Sequence, residues 1–198
     1  MSAKTVFNSQ ILPARQSGVA LLEVAIAVLI LSIGTLGLAG LQIASKRAGF
    51  EAVQRTTASA LATDIIERMR GNPVSLASYD GVTIDNDTAT DPPSYDCKTA
   101  SCDEAAIAVR DLYEWEQAIV GANEVRTIGG TPASVGGLGG VVGCIDTTAG
   151  GVDGAVEVAI AWEGFLSLDQ TLMTNTCGNG IADNRRQLLV VRTFISDE

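Results

Sequence analysis

Histidine is absent from the 198-residue sequence, and its absence excludes several kinds of site. A serine or cysteine triad of the usual kind needs an imidazole to take and return a proton. A structural zinc site of cysteines and histidines is not supported either, because no histidine is available and the spacing of the four cysteines includes no C-x-x-C pair. We therefore expect no catalytic residue, no metal and no cofactor, and we predict that the protein is not an enzyme.

Basic residues are scarce in the C-terminal two thirds of the chain. From Gly71 onward there are 19 acidic residues against 6 basic ones, so we expect no nucleic-acid partner for this part.

Glu114 and Glu116 point to different faces of a helix, and we interpret both as solvated. The acidic stretch opening with Asp85-Asn-Asp87 fails the EF-hand pattern, because Thr90 replaces the expected glycine. A solvated loop is favoured there, and a calcium ion stays an open alternative.

What the sequence does have is one long apolar run. From Val19 to Ala44 the only formal charge is Glu23, and the run is long enough to cross a bilayer as a helix, which takes about 20 residues. A carboxylate in hydrocarbon costs on the order of 2–3 kcal/mol, so Glu23 implies a partner or a task. We place it in the first turn of the helix, where the macrodipole favours its charge. An ordinary secretory signal with a cleavage site at Gly37-Leu38-Ala39 is the alternative, and a glutamate inside the apolar region argues against it.

The residues around Glu23 resemble the cleavage and methylation signal of type IV prepilins. Arg15-Gln16-Ser17-Gly18 is polar, the chain turns apolar at once, and Glu23 follows Gly18 by five positions. The resemblance implies cleavage after Gly18 by a prepilin peptidase and N-methylation of the new N-terminus at Val19. It also implies that Glu23 docks to the N-terminal amine of a neighbouring subunit. Val19 departs from the family, in which most mature chains begin with Phe.

Two further segments resemble the PilV group of minor pilins, also called type IV pilus modification proteins. They are Leu21 to Gln42 and Asp111-Leu-Tyr-Glu-Trp115, which follows a close pair of cysteines. This resemblance implies a single-pass inner-membrane protein with a periplasmic C-terminal domain, which then joins the pilus at the cell surface. It would help to initiate, cap or modify a type IV pilus, with adhesion or motility as further roles. Its partners would be the prepilin peptidase, other minor and major pilins, and the inner-membrane pilus assembly machinery.

Two other functions stay open as alternatives. A type II secretion pseudopilin carries the same N-terminal signal, so the signal alone does not separate it from a pilin. A membrane-anchored periplasmic binding protein or enzyme is the more distant alternative, and the absence of histidine counts against it.

All four cysteines lie beyond the apolar run, and their even number predicts two disulfides in an oxidising compartment. Three pairings are possible in principle. We prefer Cys97–Cys102, which closes a small loop, together with Cys144–Cys177, which ties a strand to the segment before the last strand.

We divide the chain into a leader (1–18), an apolar transmembrane and assembly helix (19–44), an amphipathic continuation of that helix (45–71) and a disulfide-tied globular domain (72–198). Residues at three- and four-residue steps from Phe50 to Arg68 predict a mostly apolar face on the continuation. The helix is predicted to end at Gly71, with this glycine in the left-handed conformation and Pro73 just beyond.

The globular domain is predicted to hold one more helix and a small antiparallel sheet. The capping box Ser101-Cys-Asp-Glu104 begins the helix, and Leu112 and Trp115 lie on its buried face. A flexible glycine-rich loop is predicted over 129–143, with strands around 141–145, 156–162 (half-buried) and 187–195. The fold class is therefore α+β, a long N-terminal spine helix packed on a small antiparallel sheet with a second helix, which is a pilin-like arrangement.

Overall fold

The computed structural model describes residues 19–86, 91–97, 99–122, 124–134, 136–167, 174–181 and 184–196. The predicted leader, including Gly18, lies outside these residues. The chain forms two compact units, Met1–Lys46 and Arg47–Glu198. Helix α1 (Val19–Gly71) supplies the described part of the first unit and one helix of the second.

The second unit contains the rest of the secondary structure. Helix α2 spans Glu104–Ile119, and short 3-10 turns span Pro73–Tyr79 and Ala149–Gly151. The strands are β1 (Thr83–Asp85), β2 (Val125–Ile128), β3 (Thr131–Ser134), β4 (Val142–Asp146), β5 (Ala155–Glu163) and β6 (Arg186–Phe194).

Four of the strands form one antiparallel sheet in the order β1-β4-β5-β6. β5 is central, with Ala161 opposite Val142 on β4 and Ala155 opposite Phe194 on β6. One face of the sheet joins a core that also contains residues of both helices. The main buried members are Ile65, Ile66 and Met69 of α1, Trp115 and Ile119 of α2, and Val156, Val158, Ile160 and Trp162 of β5. The predicted antiparallel sheet packed on a long helix is confirmed.

The opposite face of β5 is also buried, although the alternating pattern predicts a half-buried strand. Ala159 and Ala161 are 2% and 0% exposed and form a second cluster with Cys177. The segment 174–181 therefore covers this face. Gly178 has a φ of 71°, and a Cβ there would lie 2.5 Å from the Ala161 Cβ. Only glycine allows this segment to lie so close to the sheet.

Helix α1 ends at Gly71, as the sequence predicts, but the prediction of a left-handed glycine was wrong. Gly71 is not among the glycines with positive φ, and Asn72 follows it with φ −140°. The Asn72 side chain donates from Nδ2 to the carbonyl of Glu104 at 2.7 Å. The chain leaving α1 is thus held by a hydrogen bond to the first residue of α2.

Two other local predictions were wrong. The glycine-rich stretch is not a loop throughout, because β2 and β3 pair as an antiparallel hairpin with Gly129 and Gly130 between them. Helix α2 is capped by Asp103, whose Oδ1 accepts a hydrogen bond from the Ala106 N–H at 2.7 Å, and not by Ser101. Aspartate is as good an N-cap as serine, so a helix start at Asp103 is as favourable as one at Ser101.

Candidate functional site: the exposed part of helix α1

The first unit presents a continuous apolar surface. Every side chain from Leu21 to Lys46 is exposed in the single chain. Water does not favour such a surface, because each large aliphatic side chain left uncovered forgoes roughly 1.5–3 kcal/mol. By length and composition, α1 contains a segment able to cross a membrane. This segment therefore fits membrane anchoring and contact with other apolar helices.

Glu23 is the fifth residue of α1, and its side chain is exposed in the single chain. The first turn of the helix contains no acidic residue. Residues before Val19 lie outside the described part of the chain, so the effect of the macrodipole on Glu23 stays a prediction. Val19, the proposed mature N-terminus, is the first residue of α1.

Three glycines recur within the exposed part of α1, at positions 34, 37 and 40. A Cβ at any of them would meet no atom within 4 Å. Packing within the described part of the chain therefore does not explain them, although each weakens a helix interior by up to about 1 kcal/mol relative to alanine. Close approach by a second helix remains a physical reason for small residues at these positions.

The second half of α1 has a buried face that holds the domain. Ala58, Leu61, Ala62, Ile65 and Met69 are buried. The Nε1–H of Trp115 on α2 donates to the Leu61 carbonyl at 2.9 Å, which fixes α2 against α1. The apolar face that the sequence predicts is buried at Leu61 and Ile65. At its N-terminal end, Phe50 and Val53 are 60% and 63% exposed.

A cluster of ion pairs also joins the two helices. Arg68 on α1 binds Asp64 (Nε to Oδ2, 3.1 Å), Asp111 (Nη1 to Oδ1, 3.3 Å) and Glu114 (Nη1 to Oε2, 2.9 Å). Glu114 in turn accepts a hydrogen bond from Arg110 Nε at 2.8 Å. These contacts lower the pKa of Glu114, first through the hydrogen bond from Arg68 and then through that from Arg110.

The interpretation of Glu114 and Glu116 as solvated residues was wrong. Glu114 belongs to the ion-pair cluster, and Glu116 is 3% exposed. The sequence analysis did not predict the ion-pair cluster itself. Its signals were the i,i+4 spacings of Asp64 with Arg68 and of Arg110 with Glu114, which are common on exposed helix faces.

Tyr79 extends this polar cluster into the core. Its side chain is 0% exposed, and its hydroxyl donates to Asp111 Oδ2 at 2.7 Å. Burial and the hydrogen bond to Asp111 raise the pKa of Tyr79 above its ordinary value. Asp111 therefore accepts from a phenol and pairs with Arg68, so one carboxylate ties the 3-10 turn after α1 to both helices.

The structure contains two disulfides, Cys97–Cys102 and Cys144–Cys177. The first joins two cysteines five positions apart just before α2, and the second joins β4 to the segment that covers β5.

Among the described residues, no group of three or more His, Cys, Asp or Glu side chains could hold a metal ion. Part of the acidic stretch considered for calcium, residues 87–90, lies outside the described residues.

A comparison with protein families gives a match over part of the chain. Residues 40–113 are similar to the family model described as Tt1218-like, Type IV pilin Tt1218. The matched stretch begins near the end of the apolar run, includes the packed half of α1 and ends within α2. No curated protein and no solved structure gives a significant match. The match covers less than half of the chain and supports a likeness to type IV pilins over these residues.

Proposed function

We propose that this chain is a minor pilin of the PilV type. A prepilin peptidase cleaves it after Gly18, the new N-terminus at Val19 is methylated, and the mature chain joins a type IV pilus. It acts in initiation, at the tip or as a modifier of the pilus, and adhesion or motility depends on it in that role. Before assembly it resides in the inner membrane with the C-terminal domain in the periplasm.

The observation that carries this proposal is the long apolar surface that the N-terminal part of α1 exposes. The family match over residues 40–113 begins near the end of that surface and continues into the domain. The surface from Leu21 to Ile43 has no partner within the described chain and needs lipid or other apolar helices around it. The only charge in that surface is Glu23. The chain supplies no described cation that pairs with it, so the amine of a neighbouring subunit's N-terminus is its natural partner.

Glu23→Ala and Glu23→Gln test the docking role. Peptidase recognition depends on Gly18 and on the step from polar to apolar sequence, so both variants should be cleaved and held in the membrane. Both lack the charge that neutralises a neighbouring amine, so subunit docking should weaken. We expect mature protein in the membrane fraction, with few or no surface pili and little of the protein in sheared filaments.

Gln42→Ala is the matched control for these variants. Gln42 is another exposed polar side chain on the same helix, and it carries no charge. Cells with Gln42→Ala should make pili at the level of the unmodified strain. Normal piliation by both Glu23 variants, at normal protein levels, would show that Glu23 is not a docking group.

A further inference from the structure

We infer that one end of the sheet domain contacts the lipid headgroups of the membrane that α1 enters, through an aromatic patch. This patch consists of Phe50 and Val53 on α1 together with Phe165 and Leu166 after β5. The inference depends on α1 crossing a bilayer and does not depend on assembly into a pilus.

The aromatic patch is exposed but held in a fixed shape. Phe50, Val53, Phe165 and Leu166 are 60%, 63%, 56% and 48% exposed. The rings of Phe50 and Phe165 have their centroids 6.1 Å apart, so the two segments meet within one surface. Large apolar side chains gathered at one place on a soluble domain indicate a surface that meets a partner.

Hydrogen bonds hold the 164–167 segment in this exposed position. Glu51 Oε1 accepts from the backbone N–H groups of both Phe165 (3.1 Å) and Leu166 (2.7 Å). On the other side, Gln187 Nε2 donates to the Leu166 carbonyl at 3.3 Å, and Arg185 Nε donates to the Gly164 carbonyl at 3.0 Å. The polar contacts thus keep two apolar side chains pointing away from the core.

The position of Phe50 in the sequence favours lipid as the partner. Phe50 follows Ala44, the last residue of the apolar run, by only six residues, so the patch is close along the chain to the segment that would cross the bilayer. The headgroup layer that borders the hydrocarbon is roughly 5–7 Å thick on each side. Aromatic side chains are enriched at this level of a membrane.

Charge also favours an anionic lipid surface. Between residues 45 and 63 the sequence has three bases, Lys46, Arg47 and Arg55, and one acid, Glu51. Glu51 is already engaged by two backbone N–H groups. This short basic stretch contrasts with the acidic remainder of the domain, and each base near an anionic leaflet contributes about 1 kcal/mol of attraction.

A tryptophan placed in the aromatic patch tests the contact. The full chain carrying Phe165→Trp is reconstituted at low protein-to-lipid ratio in vesicles of phosphatidylethanolamine and phosphatidylglycerol, with or without brominated acyl chains. Trp115 and Trp162 are buried, so their emission is subtracted with the unmodified protein. Emission from the new indole should shift to the blue and fall roughly two-fold on bromination, since a patch at this level reaches the acyl boundary about 5–10 Å deep.

Two control variants make the result specific. Val152→Trp replaces a residue that is 54% exposed, close to the 56% of Phe165, and it lies before β5 whereas Phe165 follows β5. The nine residues of β5 separate the two sites by roughly 30 Å. Emission of Val152→Trp should not respond to brominated lipid. Leu31→Trp, in the apolar run, should be strongly quenched and so reports that α1 is in the bilayer.

Three results would overturn the inference. Quenching of Leu31→Trp without quenching of Phe165→Trp would show an inserted helix whose domain does not touch lipid. A blue shift of Phe165→Trp that appears only at high protein-to-lipid ratio would show that another chain covers the patch. Absence of quenching for Leu31→Trp would remove the premise that α1 crosses the bilayer.

Discussion

At the residue scale, the two tryptophans show how similar burial can conceal different roles. Trp115 and Trp162 are 0% and 3% exposed, and both belong to the same core. Trp115 donates its Nε1–H to the Leu61 carbonyl, whereas no described group accepts from Trp162 Nε1. A buried donor without an acceptor costs free energy, so the indole of Trp162 contributes through its apolar surface alone.

The first prediction compares the substitutions Trp115→Phe and Trp162→Phe. Each removes similar ring volume, but only Trp115→Phe removes a hydrogen bond, and Trp162→Phe also relieves an unsatisfied donor. The free energy of unfolding should therefore fall by about 1 kcal/mol or more further for Trp115→Phe than for Trp162→Phe. Chemical denaturation of the full chain in detergent, followed by near-UV circular dichroism, measures both values. Equal losses would contradict the assigned role of the Leu61 bond.

The second prediction concerns Glu114 and acid stability. Its pKa in the folded protein lies below the ordinary value of 4.5, so it binds a proton less readily when folded than when unfolded. Its contribution to stability is therefore complete above pH 4.5 and is lost as the pH falls through the folded pKa. Glu114→Gln should be less stable than the unmodified protein at pH 7, and the difference should shrink towards pH 3.

Unfolding of the full chain at both pH values measures this difference. Glu124→Gln, at an exposed glutamate, is the control and should leave the pH dependence unchanged. A stability gap for Glu114→Gln that stays constant between pH 7 and pH 3 would contradict the account of the Arg68 cluster.

At the element scale, the sequence predicted the parts whose periodicity is long and clear. α1, the α2 face carrying Trp115, and the inner face of β5 all follow from regular apolar spacing. The covering of Ala159 and Ala161 could not be predicted, because two alanines do not indicate whether water or a distant segment lies over them. The β2–β3 hairpin escaped notice because its strands are short and a pair of glycines separates them.

The sequence also did not determine how individual helices begin and end. Serine and aspartate are equally good N-caps, so residue type alone does not decide between Ser101 and Asp103. Asn72 ends α1 through a bond to Glu104, 32 residues later, which no local pattern reveals. The exposed part of α1 was the easiest to predict, because its chemistry depends on the apolar run itself and not on contacts with the domain.

The third prediction separates the two disulfides. Cys144–Cys177 closes a sequence separation of 33 residues and Cys97–Cys102 one of 5. Chain entropy then predicts a loss of about 4 kcal/mol for the paired substitution Cys144→Ala with Cys177→Ala, against about 2 kcal/mol for Cys97→Ala with Cys102→Ala. The longer bridge also holds the segment covering β5, so hydrogen exchange at Ala159 and Ala161 should accelerate only when that bridge is removed. A larger loss from the shorter bridge would contradict this assignment.

At the scale of the whole molecule, charge and apolar surface are divided along the chain. The apolar run carries one charge, a short basic stretch follows it, and the remainder from Gly71 has 19 acidic residues against 6 basic ones. The stretch similar to the pilin family, residues 40–113, contains residues of both compact units. The likeness to pilins therefore includes the end of the apolar run as well as the domain that follows it.

The central claim is that this chain becomes a pilus subunit through processing at Gly18, and the mass of its N-terminal peptide tests that claim most directly. Pili are sheared from cells, the protein is separated under non-reducing conditions, and its first peptide is identified by mass spectrometry. The account predicts a peptide that begins at Val19 and carries one N-terminal methyl group. A mature chain that begins at Gly40, as cleavage by a signal peptidase after Ala39 would give, would contradict the pilin account.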